Sequence, residues 1–256
     1  MKSFFDYSSP YRTPYFLENA EFEIQMTLLE KIMPFIILII LGYLIFKYKN
    51  KFSQDEQLDK KIRVTTGIIF TMLYLSHFIL RFAIYGFDTI VLPFQLCSIA
   101  MFLAIILIFT KNRTVYAFVF YAGLLGALIS YLTPNHGYNA MYYRYYQFYI
   151  AHGILILTPI YFLFVHKYVP NLKETIYSFA ILQSLAIFMV IFNYFNNTDF
   201  MFVFVDKAKI EKFPAISSFG GIPFYLIWVE ITAIVLFTVI YLIIRKVTKG
   251  GSYESN

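Results

Sequence analysis

Seven stretches of this chain, 28–46, 62–80, 91–109, 114–132, 145–164, 175–193 and 222–244, are apolar over the length a helix needs to cross a bilayer. About 18 or more apolar residues span the roughly 30 Å hydrocarbon core as a helix. No water is available there to satisfy the backbone, so each run must close its own hydrogen bonds and open strands are excluded. Only 14% of the residues are charged and 59% are hydrophobic, too few charges and too much apolar surface for a soluble domain. The fold class is therefore all-α, a polytopic membrane protein with a bundle of about seven transmembrane helices.

The basic residues orient the bundle. Lys47, Lys49, Lys51, Lys60, Lys61 and Arg63 lie between the first two runs, Lys111 and Arg113 between the third and fourth, and Arg245, Lys246 and Lys249 after the seventh. By the positive-inside rule these ends are cytoplasmic, which gives N-out and C-in. The loop over 194–221 then lies outside, its Lys207, Lys209 and Lys212 offset by Asp199, Asp206 and Glu211. The chain divides into an extracytoplasmic interfacial segment over 1–27, a seven-helix domain over 28–246 and a cytoplasmic tail over 247–256. The opening residues are polar and aromatic, unlike a cleavable signal, so the first span is expected to act as the insertion signal. The net charge of +6 sits in these short turns, where it reads as topology and attraction to anionic lipid, and nucleic acid is not an expected partner. Heavy use of Ile, Phe, Tyr, Lys and Asn points to an AT-rich bacterial genome, hence a bacterial cell membrane.

With topology fixed, every polar residue in a span has a depth, because a helix rises about 1.5 Å per residue. His77 and Arg81 near the end of the second span, Gln95, Cys97 and Ser98 in the third, Gln147 and His152 in the fifth, Asn193 at the end of the sixth and Glu230 in the seventh all fall in the outer third. Apart from Gln183, the inner halves are almost wholly apolar. Intramembrane ionisable groups cost roughly 2.5 to 3.5 kcal/mol on insertion scales and face a cavity or a partner. A shared depth implies a shared polar chamber open to the outer leaflet, although pairwise helix gluing gives the same pattern.

Cys97 is the only cysteine, which excludes an internal disulfide and a multi-thiolate metal site. Alone it reads as a small buried hydrophobe. Beside His152, at nearly the same height, it reads as a nucleophile whose proton an imidazole removes. Ser98 or Gln95 is positioned to stabilise an oxyanion. Glu230 either holds the His152 tautomer as a third catalytic member or pairs with Arg81, the second being favoured. His77 and Arg81, four apart, share a face suited to a headgroup phosphate. Tyr149, with Tyr145 and Phe148, forms a stripe suited to an acyl chain or to helix packing, and Asn193 closes the chamber. His136 and His166 read as interface residues. Two histidines at one depth are too few for a metal, so no metal or cofactor is expected.

Three segments carry a likeness: Leu92-Pro93-Phe94-Gln95-Leu96-Cys97-Ser98, Phe148-Tyr149-Ile150-Ala151-His152-Gly153, and Gly221-Ile222-Pro223-Phe224-Tyr225 continuing to Glu230. Together they resemble the YwaF family of bacterial membrane proteins over nearly the whole chain. The resemblance implies a link to a eukaryotic cysteine-dependent transmembrane phospholipid acyltransferase, whose reactive cysteine and histidine correspond to Cys97 and His152. The function expected is a lipid acyltransferase or transacylase with a phospholipid donor and a lysolipid acceptor, or a lipid hydrolase when acceptor is absent. A non-enzymatic seven-helix solute receptor, carrier or binding component is the competing class, against which the dry inner halves argue only for a carrier. Oligomeric state is not written in the sequence.

Overall fold

A computed structural model describes residues 4–5, 26–134, 138–203, 220–221 and 224–248. The described residues form seven helices that alternate in direction: α1 Leu28–Gln54, α2 Glu56–Tyr85, α3 Leu96–Thr110, α4 Arg113–Leu132, α5 Tyr143–Val165, α6 Leu172–Asn196 and α7 Phe224–Thr248. Short 3₁₀ turns at Thr89–Val91 and Phe200–Phe202 complete the helical structure, and no strand occurs among the described residues. His136 and residues 204–219 lie outside the described set.

Local chemistry sets the helix ends. Thr27 opens α1 with a capping box, its hydroxyl accepting from Glu30 N–H while Glu30 reaches back to the Thr27 N–H. Asp55, in extended conformation, ends α1 and begins α2, its carboxylate accepting from Leu58 N–H at 2.9 Å. Asn112 caps α4 through Thr114 and Val115 N–H, and Asn171 caps α6 in a second capping box with Glu174. Within α4, residues Val119–Gly123 form a π turn.

Six of these helices have the length and hydropathy of a membrane span. The third is a correction to the sequence reading: its helix begins at Leu96, not near 91, and has 15 residues, about 22 Å. Pro93 keeps Leu92 out of the helix, since proline biases the residue before it away from the helical region, and Gln95, in extended conformation, is the N-cap.

The helices are not equal in the bundle. In α5, 72% of the most apolar window is buried inside the protein, against 6% in α1 and α7. Thus α5 is the central post, with α1, α2, α3 and α4 packed around it, while α1 and α7 lie on the outside of the bundle with few fully buried residues. Gly67 lets α2 approach α3: a Cβ there would stand 2.7 Å from Phe109 Cζ and 2.9 Å from Ile108 Cγ2. Helix α7 packs on α6, where Phe237 meets Phe179 and stacks on Tyr121 of α4 at 4.9 Å.

At the end of the bundle opposite Cys97, a single carboxylate ties four segments together. Asp59 of α2 is 3% exposed. Its Oδ2 accepts from Arg63 Nε at 2.9 Å and faces Lys111 Nζ at 3.6 Å. Its Oδ1 accepts from Tyr161 Oη at 2.8 Å and His166 Nε2 at 2.9 Å. Arg63 in turn donates to the Ile108 carbonyl at 2.7 Å. A charge this deep persists because its oxygens are occupied by donors. His166, read from sequence as an interface residue, is a member of this cluster. Burial pushes its pKa below the ordinary histidine value, and the neighbouring Asp59 charge only partly opposes that. Neutral His166 therefore donates Nε2–H to the carboxylate.

Candidate active site

Because Gln95 is extended and the helix starts at Leu96, Cys97 falls at the second position of α3. The first i to i−4 bond of the helix runs from Ile99 N–H to the Gln95 carbonyl at 3.0 Å. The N–H groups of Leu96, Cys97 and Ser98 precede it and have no partner within the helix. They point toward whatever lies beyond the helix end, where the partial positive charge of the helix dipole also concentrates.

The thiol is half-buried and meets α4. Cys97 Sγ lies 3.4 Å from Ser130 Oγ. Gly126, one turn before Ser130, also faces the sulfur: a Cβ there would sit 3.6 Å from it, an ordinary contact distance. One turn further along, Gly123 is the meeting point of three helices: its Cβ position is 3.4 Å from both Ala100 Cβ and Leu155 Cδ1. Ala100 follows Cys97 by three residues and Leu155 follows His152 by three. The parallel helices α3 and α5 thus carry Cys97 and His152 at equal height, each one turn above a common contact.

His152 is 6% exposed. Its Nδ1 is 2.9 Å from the Phe148 carbonyl. A carbonyl only accepts, so Nδ1 carries the hydrogen and Nε2 presents a lone pair. The role foreseen for Glu230 in fixing this tautomer belongs to the backbone of α5. The imidazole packs on the Phe148 ring at 4.2 Å between centroids, and the Arg144 guanidinium lies over the same ring, 5.5 Å from its centroid.

Arg144 also donates through Nη1 to Gln147 Oε1, while Gln147 Nε2 donates to the Leu73 carbonyl of α2 at 3.2 Å. Ser76 and Tyr143 join the same seam through hydroxyls 2.6 Å apart. Across it, His77 is within electrostatic reach of Arg81, Arg144 and His152.

Other residues singled out from sequence lie elsewhere. Glu230 Oε2 accepts from Gln183 Nε2 at 2.6 Å, a bond between α7 and α6 at the edge of the bundle. The reason is packing: α7 is peripheral and rests on α6. Asn193 is fully buried, and its amide is saturated within the chain. Its Nδ2 donates to the carbonyls of Phe200 and Val203, and its Oδ1 accepts from Thr198 Oγ1 and Phe200 N–H. It organises the turn after α6 and has no group left for a ligand. Gln95 is held by the same turn, its Oε1 accepting from Met201 N–H at 3.1 Å. Ser98 is half-buried in the first turn of α3. Tyr149 packs between Tyr131 and Tyr145, with its hydroxyl 3.9 Å from Met26 Sδ and its carbonyl accepting from Tyr131 Oη. Among the described residues no group of three His, Cys, Asp or Glu side chains is arranged to hold a metal ion.

Sequence reasoning did not single out Ser130, Gly126 or Arg144 as site residues. Arg144, Phe148 and His152 recur every four residues and were open to a reading as one stripe. Ser130 was not, because the π turn at Val119–Gly123 shifts the phase of everything after it in α4.

Bundle and polar end together define a multi-pass integral membrane protein with a thiol and an imidazole at one level within it. A model of the TMEM164 family matches residues 24–241, and the chain belongs to this family of membrane proteins. No curated protein and no solved structure matches it.

Proposed function

We propose that this protein is a membrane-embedded acyltransferase in which Cys97 carries the acyl group as a thioester and His152 moves the protons. The observation that carries the reading is the placement of Cys97 and His152 one turn above the shared contact at Gly123, on helices that pack against each other. The likeness of the Cys97 and His152 segments to the YwaF family, and through it to a cysteine-dependent phospholipid acyltransferase, adds support.

In the first half-reaction His152 Nε2 takes the proton from Cys97 Sγ as the sulfur attacks the ester carbonyl of a phospholipid. The negative charge that develops on the carbonyl oxygen is met by the unpaired N–H groups of Cys97 and Ser98 at the start of α3. The ester C–O bond breaks, and the lysolipid leaves with the proton from His152. In the second, the hydroxyl of an acceptor lysolipid gives its proton to His152 and attacks the thioester. The C–S bond breaks, and Sγ recovers the proton. Water in place of the acceptor gives hydrolysis. Arg81 and Arg144, with His77, suit the phosphate of the donor headgroup.

In this reading the Cys97 end faces the outer leaflet of a bacterial cell membrane, away from soluble acyl carriers, which favours a phospholipid donor. The test is acyl transfer from phospholipid to added lysolipid by protein in nanodiscs. Cys97→Ala and His152→Ala are each expected to abolish transfer while the melting temperature is kept. Full transfer by Cys97→Ala removes the mechanism.

A further inference from the structure

Arg144 stands in the first turn of α5, four residues before Phe148 and eight before His152. An arginine at the end of a membrane span usually extends its guanidinium to water. This one is held against two buried side chains instead: the Phe148 ring, 5% exposed, and the Gln147 amide, 2% exposed. The guanidinium lies 5.5 Å and the His152 imidazole 4.2 Å from the centroid of that same ring. Arg144, Phe148 and His152 thus form a column down one face of α5, with a charge at its top and the base of the proposed reaction at its foot.

Gln147 decides where that guanidinium sits. A guanidinium only donates and a carbonyl only accepts, so one orientation of the amide satisfies both neighbours: Oε1 toward Arg144 Nη1 and Nε2 toward the Leu73 carbonyl of α2. The Leu73 carbonyl also accepts from Ser76 Oγ at 2.9 Å, and Ser76 Oγ lies 2.6 Å from Tyr143 Oη at the start of α5. The amide is therefore clamped between α2 and α5. Because Gln147 is neutral, it orients the guanidinium without cancelling its charge, which a carboxylate in its place would do.

We propose that Gln147 is a positioning residue: it holds the Arg144 guanidinium over Phe148, so that the phosphate of a donor lipid is gripped one ring's thickness from the imidazole that serves its ester. The inference rests on the acyl-transfer reading above, in which Arg144 meets that phosphate. In a glycerophospholipid the phosphate stands only a few bonds from the ester carbonyls. A guanidinium that swung out to water would carry the headgroup away and leave the ester out of reach of the thiol.

The test is the reactivity of Cys97, the only cysteine, toward an anionic and a neutral reagent, sulfonatoethyl methanethiosulfonate and methyl methanethiosulfonate, on the full-length protein in detergent. Wild type is expected to favour the anionic reagent relative to a free thiol. Arg144→Leu and Gln147→Met should each lower that preference about tenfold, since hydrogen bonds to a charged group are among the stronger ones. The rate with the neutral reagent is the control for folding. Gln147→Asn, whose amide is too short to span Arg144 and Leu73, should behave likewise and covers the case in which the methionine variant melts early. In an Arg144→Leu background Gln147→Met should change nothing further, because Gln147 acts through Arg144. In acyl transfer, Gln147→Met should raise KM for the phospholipid donor about tenfold and alter kcat far less. A preference unchanged in both Gln147 variants, or lowered equally with and without Arg144, would overturn the positioning role, as would a Cys97 that the anionic reagent disfavours or does not reach. Acyl transfer that survives Cys97→Ala would instead end the acyltransferase reading and leave the labelling ratio to judge Gln147.

Discussion

At Cys97 the residue type matters less than the position. At the second residue of α3, the sulfur has Ser130 beside it and belongs to a first turn whose backbone N–H groups have no partner within the helix. Ser130→Ala removes one hydrogen bond, worth about 1 kcal/mol and so roughly a fivefold loss of transfer rate. The measurement is transfer kinetics on folded variant. His166 is a second residue whose neighbours decide its behaviour. Its pKa lies below the ordinary value of 6.5, so the native state favours the neutral ring. Its contribution to stability is present above the unfolded-state pKa and is lost as pH falls through that value toward the folded one. The melting temperature in detergent should therefore fall between pH 7 and pH 5, and His166→Gln, which keeps a donor and cannot titrate, should flatten that part of the curve. A curve unchanged by the substitution would contradict the assignment.

At the scale of elements, most of the bundle was open to reading from the chain alone, because hydropathy and basic turns report directly on spans. What stayed hidden was phase. Pro93 could be read as a breaker, yet only the structure puts the start of α3 at Leu96 and Cys97 at a helix N-terminus. The π turn in α4 is a packing outcome with no sequence signature, and it decides that Gly126 and Ser130 face the thiol. Asn193 has the right depth but belongs to a turn, while counting along the span puts Glu230 too high: it bonds Gln183 in the middle of α6, so the two polar groups assigned to different halves of the bilayer share one level. Two glycines test the helix contacts. Gly67→Leu should cost about 1–3 kcal/mol by overpacking the α2–α3 approach, seen as a lower melting temperature. Gly126→Ala, whose Cβ meets the sulfur at an ordinary contact distance of 3.6 Å, should leave melting nearly unchanged and slow labelling of Cys97 by a lipid-like thiol reagent.

The whole molecule is organised with a reactive end and an anchored end. The anchored end depends on Asp59, which ties α2 to α5 and to the turns after α3 and α5. Asp59→Ala leaves Arg63 buried without its carboxylate and is expected to cost about 3–5 kcal/mol, measured as loss of folded protein in detergent. Orientation follows the basic turns. In a Cys97→Ala background, an impermeant maleimide should label Thr133→Cys on intact cells and Ser53→Cys only after permeabilisation.

The account rests on an acyl group passing through the single cysteine. Its most direct test is the intact mass of purified protein after exposure to donor phospholipid without acceptor. One added acyl chain, located on Cys97, removed by neutral hydroxylamine and absent in His152→Ala, is the predicted result. Acyl transfer that proceeds with no adduct on Cys97, or with the adduct on another residue, would contradict it.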